Sequence, residues 1–535
     1  MKDLVINKDK SLIGDKLLEK FLNNDRGVSK YISSFFSKEK ILEHSEIKSD
    51  EFTKKQREIL VKVLKSQYEN IDISKKTRNN IELILDTNTF SITTGHQLNI
   101  FSGPLMVIYK VAQVISLTKK LNSQIKNFNY VPIFWIASED HDFDEISTVN
   151  LNKNTFKWDI ETGDVPVGEI KIKDFNKFIN GYKDSIINSD YKVMLENMID
   201  RSYTKGDKLS ISTIKFINSL FSDHGLIVID ANKKALKNLF IDEFKSEIIN
   251  SSCKESTMVQ IDRLKKDFKS FKPQVNPSDV NFFKFTNKGR KRIRLHNGLF
   301  NVDDEKKYDK HSILKQIEIN PELFSPNVIM RPLFQEKILP NVCYIGGPNE
   351  IKYWLQLKTY FEKNRIQFPI LKLRNSAYIL NSRISKKIKK TGIQTKYFVG
   401  SLDELIRKKL DCQSGSMINF DSLRLNLKKQ FDELRQTSSK IDNSFIGALN
   451  AQEKKQNKGI DDLEKKLHKA EKKNYETEIE VLKNIYYSLH PNNIDQERHM
   501  NFGNFYSKFG QELIDFIVDK ILVPDDKILI IDLED

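Results

Sequence analysis

The chain has 535 residues, of which 39% are hydrophobic and 30% charged, and its 88 lysines and arginines against 73 carboxylates give a formal net charge of +15. This length exceeds what one ordinary domain needs, so we expect a large core domain with appended parts. The absence of any run of eighteen apolar residues excludes a membrane-spanning helix. The N-terminal stretch also lacks the apolar block of a secretory signal.

The spacing of the cysteines and the distribution of charge bear on whether this is a disulfide-bonded, metal-binding or nucleic-acid-binding protein. Cys253, Cys343 and Cys412 are far apart in the chain, which argues against a disulfide framework and a CxxC metal site and fits a reducing cytoplasm. A basic surface can attract nucleic acid or other polyanions. Lysine and glutamate are interspersed through the helical segments, however, so nucleic acid is the weaker expectation.

In chain order, the first elements are helices and then a βαβ unit. Residues 1–85 are polar with apolar residues at helical spacing. Residues 90–94 form a β-rich run, a helix pattern follows Pro104, and 130–137 is a continuous apolar run typical of a buried parallel strand. Strand, helix and strand in this order predict a βαβ unit with a right-handed crossover.

The strand pattern returns twice later in the chain. Residues 225–230 and 341–345 are apolar runs, and 280–300 alternates apolar and polar residues as a small β hairpin does. The stretches at about 155–220 and 235–340 are predicted to be connecting insertions. The fold class is therefore α/β, with a parallel sheet covered by helices.

The C-terminal part of the chain has a different character. Between 460 and 474 apolar residues recur every three to four positions with Lys and Glu between them, which predicts a coiled-coil hairpin or long helical arm. We therefore divide the chain into a core at 1–410, a coiled-coil arm at 411–490 and a C-terminal segment at 491–535 that returns to the core.

The first candidate for chemistry is the TGHQ turn, residues 94–97, with the residues leading to the helix at Pro104. Ligands of α/β proteins bind outside the carboxyl ends of strands, and a helix N-terminus favours phosphate or carboxylate. A plain turn whose glycines serve only backbone geometry is an equally open interpretation, and no P-loop or GxGxxG pattern is present. The candidate substrate-binding residues here are Thr94, Gly95, His96, Gln97, Asn99 and Gly103.

The second candidate is the acidic segment, residues 138–145, which follows the second strand. It holds five carboxylates and a histidine within seven residues. If its strand neighbours the first, this segment faces the TGHQ turn, where it could bind an amine, hold Mg²⁺ or act as a general base. An acidic helix N-terminus is the alternative, although that leaves the histidine unexplained. We assign catalysis to His141, Asp142 and Asp144, and substrate binding to Glu139 and Asp140.

The third candidate is the strand–glycine–helix segment at 344–354, in which Gly347, Glu350 and Tyr353 could line the same cleft. Helix capping and packing are the alternative explanation for these residues. No His and Cys spacing typical of a zinc site is visible in the sequence, and we predict no metal site.

Three motifs resemble those of one known family. TGHQLNIFSGPLMVIYK resembles its TGQQ-type motif, VPIFWIASEDHDFDEIS its apolar strand and acidic run, and YIGGPNEIKYWLQLK its Gly-Pro-x-E-x-x-Y-W segment. These are similar to the bacillithiol-biosynthesis cysteine-adding enzyme family. His96 stands where that family often has glutamine, so its role here stays open.

The resemblance implies a fold and a reaction. The core would be a Rossmann-like sheet similar to nucleotidylyl transferases and class I aminoacyl-tRNA synthetases, with a C-terminal coiled coil that supports a homodimer. The reaction would be amide formation between L-cysteine and the amino group of glucosamine-malate, giving the low-molecular-weight thiol bacillithiol. ATP with Mg²⁺ is the candidate co-substrate, but the HxGH and KMSKS signatures of the synthetases are absent, so its use is not implied residue by residue.

The residues then have the following expected roles. The TGHQ turn would bind an anionic group, Asp142 and Asp144 would bind an ammonium or deprotonate the attacking amine, and His141 would orient them or move a proton. The alternatives are an RNA- or polyanion-binding protein on a synthetase-like core, an adaptor that works through its coiled coil, and a ligase for a related amino sugar or amino acid. We expect small-molecule substrates, a cytoplasmic location and no membrane partner.

Overall fold

The computed structural model describes residues 1–7, 15–151, 154–302, 306–413, 420–438 and 445–533. The chain forms two compact units. The first consists mainly of Asp3–Tyr378 and Gln496–Ile531, and the second mainly of Ile379–Asp495. Within the described ranges, no helix is both long and apolar enough to cross a membrane.

A five-stranded parallel sheet forms the centre of the first unit. Its strands are β1 (Thr89–His96), β2 (Asn129–Ile136), β3 (Ile227–Asp230), β4 (Asn341–Gly346) and β5 (Ile370–Leu373), in the order β5-β4-β1-β2-β3. The predicted α/β fold with a parallel sheet is therefore confirmed. Because β1 has β2 on one side and β4 on the other, the strand order reverses at β1, where α/β sheets open a crevice.

Helix α1 (Leu105–Gln124) makes the crossover between β1 and β2. Its side chains Val114, Leu117 and Leu121 are buried in one cluster with Phe90 of β1 and Ile345 of β4. Because the helix packs on the sheet, the strands and the helix are both buried where they meet, and their sequences are nearly continuously apolar. The packing fixes the carboxyl ends of β1, β2 and β4 at one edge of the sheet.

Two small antiparallel sheets stand beside this core. One pairs Phe282–Thr286 with Gly289–Arg292 and Phe324–Pro326. The other pairs Leu299–Asn301 with Arg294–His296 and with the short strand Lys307–Tyr308. The hairpin expected at 280–300 is thus confirmed, and the region contains two consecutive hairpins instead of one.

Two short helices matter for the site: α2 (Arg331–Ile338), which precedes β4, and α3 (Pro348–Trp354), which follows it. The other helices of the first unit are Lys16–Leu22, Arg26–Ser29, Lys38–Glu51, Lys54–Gln67, Lys75–Leu83, Phe143–Ile146, Asn176–Asp184, Asp190–Ser202, Leu209–Phe221, Lys234–Lys237, Ile241–Asn250, Ser252–Asp267, Lys310–Ile319, Lys358–Asn364, Gln496–His499, Gly503–Phe509 and Gln511–Lys520. The remaining strands are Lys2–Asn7, Thr148–Leu151, Asn154–Lys157, Ala377–Asn381 and Lys527–Leu533.

The second unit is helical and contains α4 (Phe420–Ser438) and α5 (Phe445–Asn474). Arg424 of α4 contacts Asp461 and Glu464 of α5, and further along α4, Arg435 contacts Glu453. Since the later residue of α4 meets the earlier part of α5, the two helices are antiparallel. The predicted coiled-coil hairpin is confirmed. The unit's other helices are Ser382–Thr391, Leu402–Gln413 and Glu476–Leu489.

Candidate functional site

A cavity of about 740 Å³ opens at the carboxyl ends of β1, β2 and β4. All three candidate segments contribute to its wall. From the predicted set, the lining residues are Gly95, His96, Gln97, Glu139, Asp140, His141, Gly347, Glu350 and Tyr353. Thr94, Asn99, Gly103, Asp142 and Asp144, which are also described residues, are not part of this lining.

The TGHQ turn is joined directly to the acidic segment. β1 and β2 are neighbours in register, with His96 opposite Ile136. As a result, the Gln97 side chain donates a hydrogen bond of 2.6 Å from Nε2 to Asp140 Oδ2. Thr94 faces the other way and donates from Oγ1 to the carbonyl of Ile345 in β4 at 2.7 Å. Thr94 thus ties the two central strands together and lies behind the cavity wall.

The chain between β1 and α1 adopts an unusual backbone. Phe101, Ser102 and Gly103 all have positive φ angles, of 50°, 62° and 63°. The Asn501 amide donates to the carbonyls of Phe101 at 2.9 Å and Gly103 at 2.7 Å. A Cβ on Gly103 would lie 2.5 Å from the Cβ of Asn99. Gly103 and Asn99 therefore set the path of the turn from behind.

His96 lines the cavity as a neutral imidazole. Burial lowers its pKa to about 4, and the positive charge of Lys110 acts in the same direction. Its Nδ1 is buried beside the Asn99 side chain without a hydrogen bond of good geometry. At neutral pH this ring carries one proton, so one of its two nitrogens can accept a hydrogen bond.

Two carboxylates of the acidic segment are held by buried cations. Asp140 accepts from Arg290 Nη1 at 3.3 Å in addition to Gln97. Burial alone would raise the pKa of Asp140, but Arg290 and the Gln97 hydrogen bond outweigh it and lower that pKa. Glu139 forms an ion pair with the fully buried Lys237. Both carboxylates of the cavity wall are therefore paired with a cation.

The remaining acidic residues divide between the cavity and the surface. Asp142 is exposed and caps the helix Phe143–Ile146 by accepting from the Glu145 N–H at 3.2 Å. Asp144 is exposed and pairs with Lys157 at 2.9 Å. Glu145, which the sequence did not single out, is also exposed but lines the cavity, and partial burial of its carboxylate together with Asp142 and Asp140 raises its pKa.

His141 borders the cavity next to these carboxylates. Its Nδ1 lies 3.4 Å from Asp140 Oδ1 and 3.4 Å from Arg290 Nη1. The side chain is partly exposed, so it can reach a bound molecule. Its predicted role in catalysis, like those of Asp142 and Asp144, stays a prediction.

The third segment contributes a buried charge network. Glu350 pairs with Lys110 of α1 and accepts from Gly347 N at 2.6 Å and from the Tyr344 hydroxyl at 2.7 Å. Burial opposes ionisation of Glu350, but Lys110 and these hydrogen bonds outweigh it and lower the pKa to about 2. Lys110 also donates to the Gly95 carbonyl at 3.0 Å, which links the TGHQ turn to α3.

Sequence reasoning missed Lys110, although one signal was available. It is a lone lysine in the apolar face of α1 and is only 3% exposed. Lysines are almost never fully buried unless they are paired. A lysine at such a position therefore predicts a nearby carboxylate, which here is Glu350.

Five arginines complete the cavity wall, and they come from distant parts of the chain. Arg374 forms a two-pronged pair with Glu497, at 2.8 and 2.5 Å, and both side chains are buried. The full set is Arg290, Arg292, Arg331, Arg374 and Arg498. These side chains suit phosphate or carboxylate oxygens.

Among the residues that the structure describes, there is no group of three or more His, Cys, Asp and Glu side chains arranged to hold a metal ion. Two carboxylates of the acidic segment, Asp140 and Glu139, instead pair with Arg290 and Lys237.

The sequence matches two family models along nearly its whole length. Residues 1–375 match the N-terminal Rossmann-like domain, and residues 377–533 the C-terminal coiled-coil domain, of the bacillithiol biosynthesis protein BshC. Similar proteins named "Putative cysteine ligase BshC" occur in Flavobacterium johnsoniae (38% identity, covering 95% of both chains), Christiangramia forsetii (39%, 87% of both) and Flavobacterium psychrophilum (38%, 96% of this chain and 97% of the relative). The chain therefore belongs to the BshC family of bacillithiol biosynthesis.

Proposed function

We propose that this protein is a ligase that joins the carboxyl group of L-cysteine to the amino group of glucosamine-malate through an amide bond. Family membership supports the general role, since relatives covering most of the chain are named as cysteine ligases. The observation that carries the specific proposal is the cavity, whose wall presents carboxylates from one strand end and arginines from other elements.

The two kinds of charge suit the two ends of the acceptor substrate. An ammonium group is stabilised by carboxylates such as Asp140 and Glu145, and the carboxylates of the malate part by guanidinium groups. L-Cysteine carries one ammonium and one carboxylate group, so the same two kinds of side chain could bind it. A cavity of about 740 Å³ is within the range that small-molecule sites occupy.

The reaction needs one proton acceptor within the cavity. A protonated amine cannot attack a carbonyl carbon, so its proton has to leave first. Glu145 is placed for this step, because it lines the cavity and its pKa is raised. His141 borders the same region and would pass the proton on. Asp142 would act by raising the pKa of Glu145. The direct catalytic roles of Asp142 and Asp144 stay predictions from the sequence.

The carboxyl group of cysteine also has to be activated. When the C–N bond forms, one carboxyl oxygen departs, and it is a poor leaving group unless it carries a phosphoryl or adenylyl group. ATP with Mg²⁺ is the co-substrate that we propose for this step. The cavity arginines Arg331, Arg374 and Arg498 are the side chains that would hold its anionic groups.

A mass-spectrometric assay tests the proposal. Purified protein is incubated with L-cysteine, glucosamine-malate, Mg²⁺ and ATP, and in parallel without ATP. We expect a product at the mass of the amide when the assay is run near neutral pH. Product only with ATP supports the activation step, and product in both arms removes ATP from the scheme. No product in either arm, from protein that is folded, contradicts the ligase proposal.

A further inference from the structure

The cavity arginines differ in how their charge is balanced. Arg290 and Arg374 each have a carboxylate partner, Asp140 and Glu497. Arg292 and Arg498 are exposed, so water can hydrate them. Arg331 is only partly exposed, yet none of the Asp and Glu side chains that the structure describes lies within 4.0 Å of it. Glu350 acts on Arg331 only at longer range. A cation that leaves water without a carboxylate in direct contact is costly, which makes this residue the exception.

The guanidinium of Arg331 is nevertheless held in place by neutral groups. It donates from Nη2 to the Tyr353 hydroxyl at 3.2 Å and from Nη1 to Gln335 Oε1 at 3.1 Å. Its centre lies 5.9 Å from the ring centroid of Trp135. Burial opposes the charge, but Tyr353, Tyr344 and the more distant Glu350 carboxylate outweigh this effect and raise the pKa of Arg331. The group is thus charged and oriented before any ligand binds.

We propose that Arg331 is the residue that binds a substrate carboxylate, so that the ligand supplies the direct ion pair that none of the described Asp and Glu side chains makes. This inference rests on the proposed function, whose two substrates both carry carboxylates: one in cysteine and two in the malate part of glucosamine-malate. A guanidinium presents five N–H donors in a fixed plane, and two of them are engaged here. The others match the planar carboxylate, and Arg331 would position it relative to the amine end at Glu145.

The test combines substitution of Arg331 with esterification of the substrate carboxylates. Binding constants are measured by calorimetry for wild type and Arg331→Gln, with L-cysteine and its methyl ester and with glucosamine-malate and its dimethyl ester. For the substrate whose carboxylate meets Arg331, esterification should weaken binding to wild type about 30-fold or more. The same esterification should have little effect on Arg331→Gln, because the partner is already gone. The substrate that shows this behaviour identifies the source of the carboxylate.

Two further variants separate binding from folding and from net charge. Arg331→Lys keeps the charge but loses the planar fork, so it should bind the acid form more weakly than wild type and still prefer it to the ester. Arg201→Gln removes an exposed arginine that does not line the cavity, and should bind as wild type does. Thermal unfolding of each variant shows whether it is folded.

The possible outcomes separate this inference from the proposed function. If wild type binds the acids but Arg331→Gln and Arg331→Lys keep the full penalty for esterification, the inference is wrong and the ligase proposal stands. If only ATP binding falls in Arg331→Gln, the group that Arg331 receives is a phosphate and the inference is again wrong. If folded wild type binds neither substrate, both are wrong.

Discussion

At the scale of single residues, the pair formed by Lys110 and Glu350 is the central support of the cavity. Removing one partner of a largely buried ion pair leaves the other charge without its partner in the cavity wall. Lys110→Met should therefore lower the free energy of unfolding by about 3–5 kcal/mol. Combining it with Glu350→Gln should recover part of that loss. Urea denaturation measures both effects.

A matched control for this pair exists on the surface. Lys157 and Asp144 form an ion pair with both side chains largely exposed. Lys157→Met should leave the unfolding transition unchanged, since exposed pairs contribute little. A Lys110→Met protein as stable as wild type would show that the buried pair does not support the fold.

His96 should make stability depend on pH. Its pKa falls from an ordinary 6.5 to about 4 in the folded protein, chiefly through burial. Below pH 6.5 the unfolded chain takes up a proton on this histidine that the folded protein does not, so the free energy of unfolding falls as the pH drops from 6.5 towards 4. The loss should amount to up to about 3 kcal/mol. His96→Gln should be less sensitive across this window, measured by urea unfolding between pH 4.5 and 7.

The control for this experiment is His296→Gln, which changes an exposed histidine on a hairpin. It should keep the slope of stability against pH that wild type shows. If His96→Gln also keeps the full slope, the imidazole of His96 is not the group responsible.

The acidic segment predicts a graded loss of activity. Glu145→Gln should lower kcat about 100-fold or more, because it removes the proposed proton acceptor. Asp142→Ala should cause a smaller loss and move the acidic limb of the pH–rate profile to lower pH, because Asp142 helps to raise the pKa of Glu145. Steady-state kinetics from pH 5 to 9 measure both. Full activity of both variants would remove the acidic segment from the mechanism.

At the scale of elements, the connection between β1 and α1 depends on one glycine. Gly103 has φ of 63° and ψ of −142°, and a Cβ there would collide with Asn99. Gly103→Ala should lower the free energy of unfolding by about 1–3 kcal/mol from backbone strain alone. Gly447→Ala, in the exposed part of α5 with no neighbour within 4 Å, should instead be neutral or slightly stabilising.

Local sequence patterns were enough to predict the sheet and the meeting of three segments. The apolar run of β2 and the glycine turns after β1 and β4 are each short continuous stretches of sequence, so a local pattern predicts them. Arg290 and Arg331, in contrast, lie in a region expected to be an insertion. Their approach to the cavity depends on how that region packs, which no periodicity of 2 or 3.6 residues records.

The same limit applies to Glu145 and its neighbours. Composition showed five carboxylates together, but not which of them a four-residue helix directs at the cavity. Asp142, Asp144 and Glu145 are all exposed, but of these three only Glu145 lines the cavity. The direction of a side chain at such a helix is fixed by the packing of Phe143 and Ile146, both of which are buried.

At the scale of the whole molecule, the helical hairpin of α4 and α5 should make the protein a dimer. Leu423 and Leu434 are close to half exposed and eleven residues apart, which places them on one face of α4. Leu463 of α5 is 60% exposed. A second copy of the hairpin would cover such side chains, and this homodimer stays a prediction. Sedimentation velocity should show a dimer for wild type and a monomer for Leu423→Lys/Leu434→Lys. A monomeric wild type at micromolar concentration would contradict it.

The contributions of Asn501 and Glu497 to the first unit have a consequence for synthesis. Asn501 holds the carbonyls of Phe101 and Gly103, and Glu497 neutralises Arg374. These partners are separated by 123 or more residues in the chain, so a ribosome makes the turn and its arginine long before it makes the groups that secure them. A nascent chain that stalls in the coiled coil would lack Glu497, Asn501 and the cavity residue Arg498. We therefore expect the turn and Arg374 to gain these partners only after residue 501 has been translated.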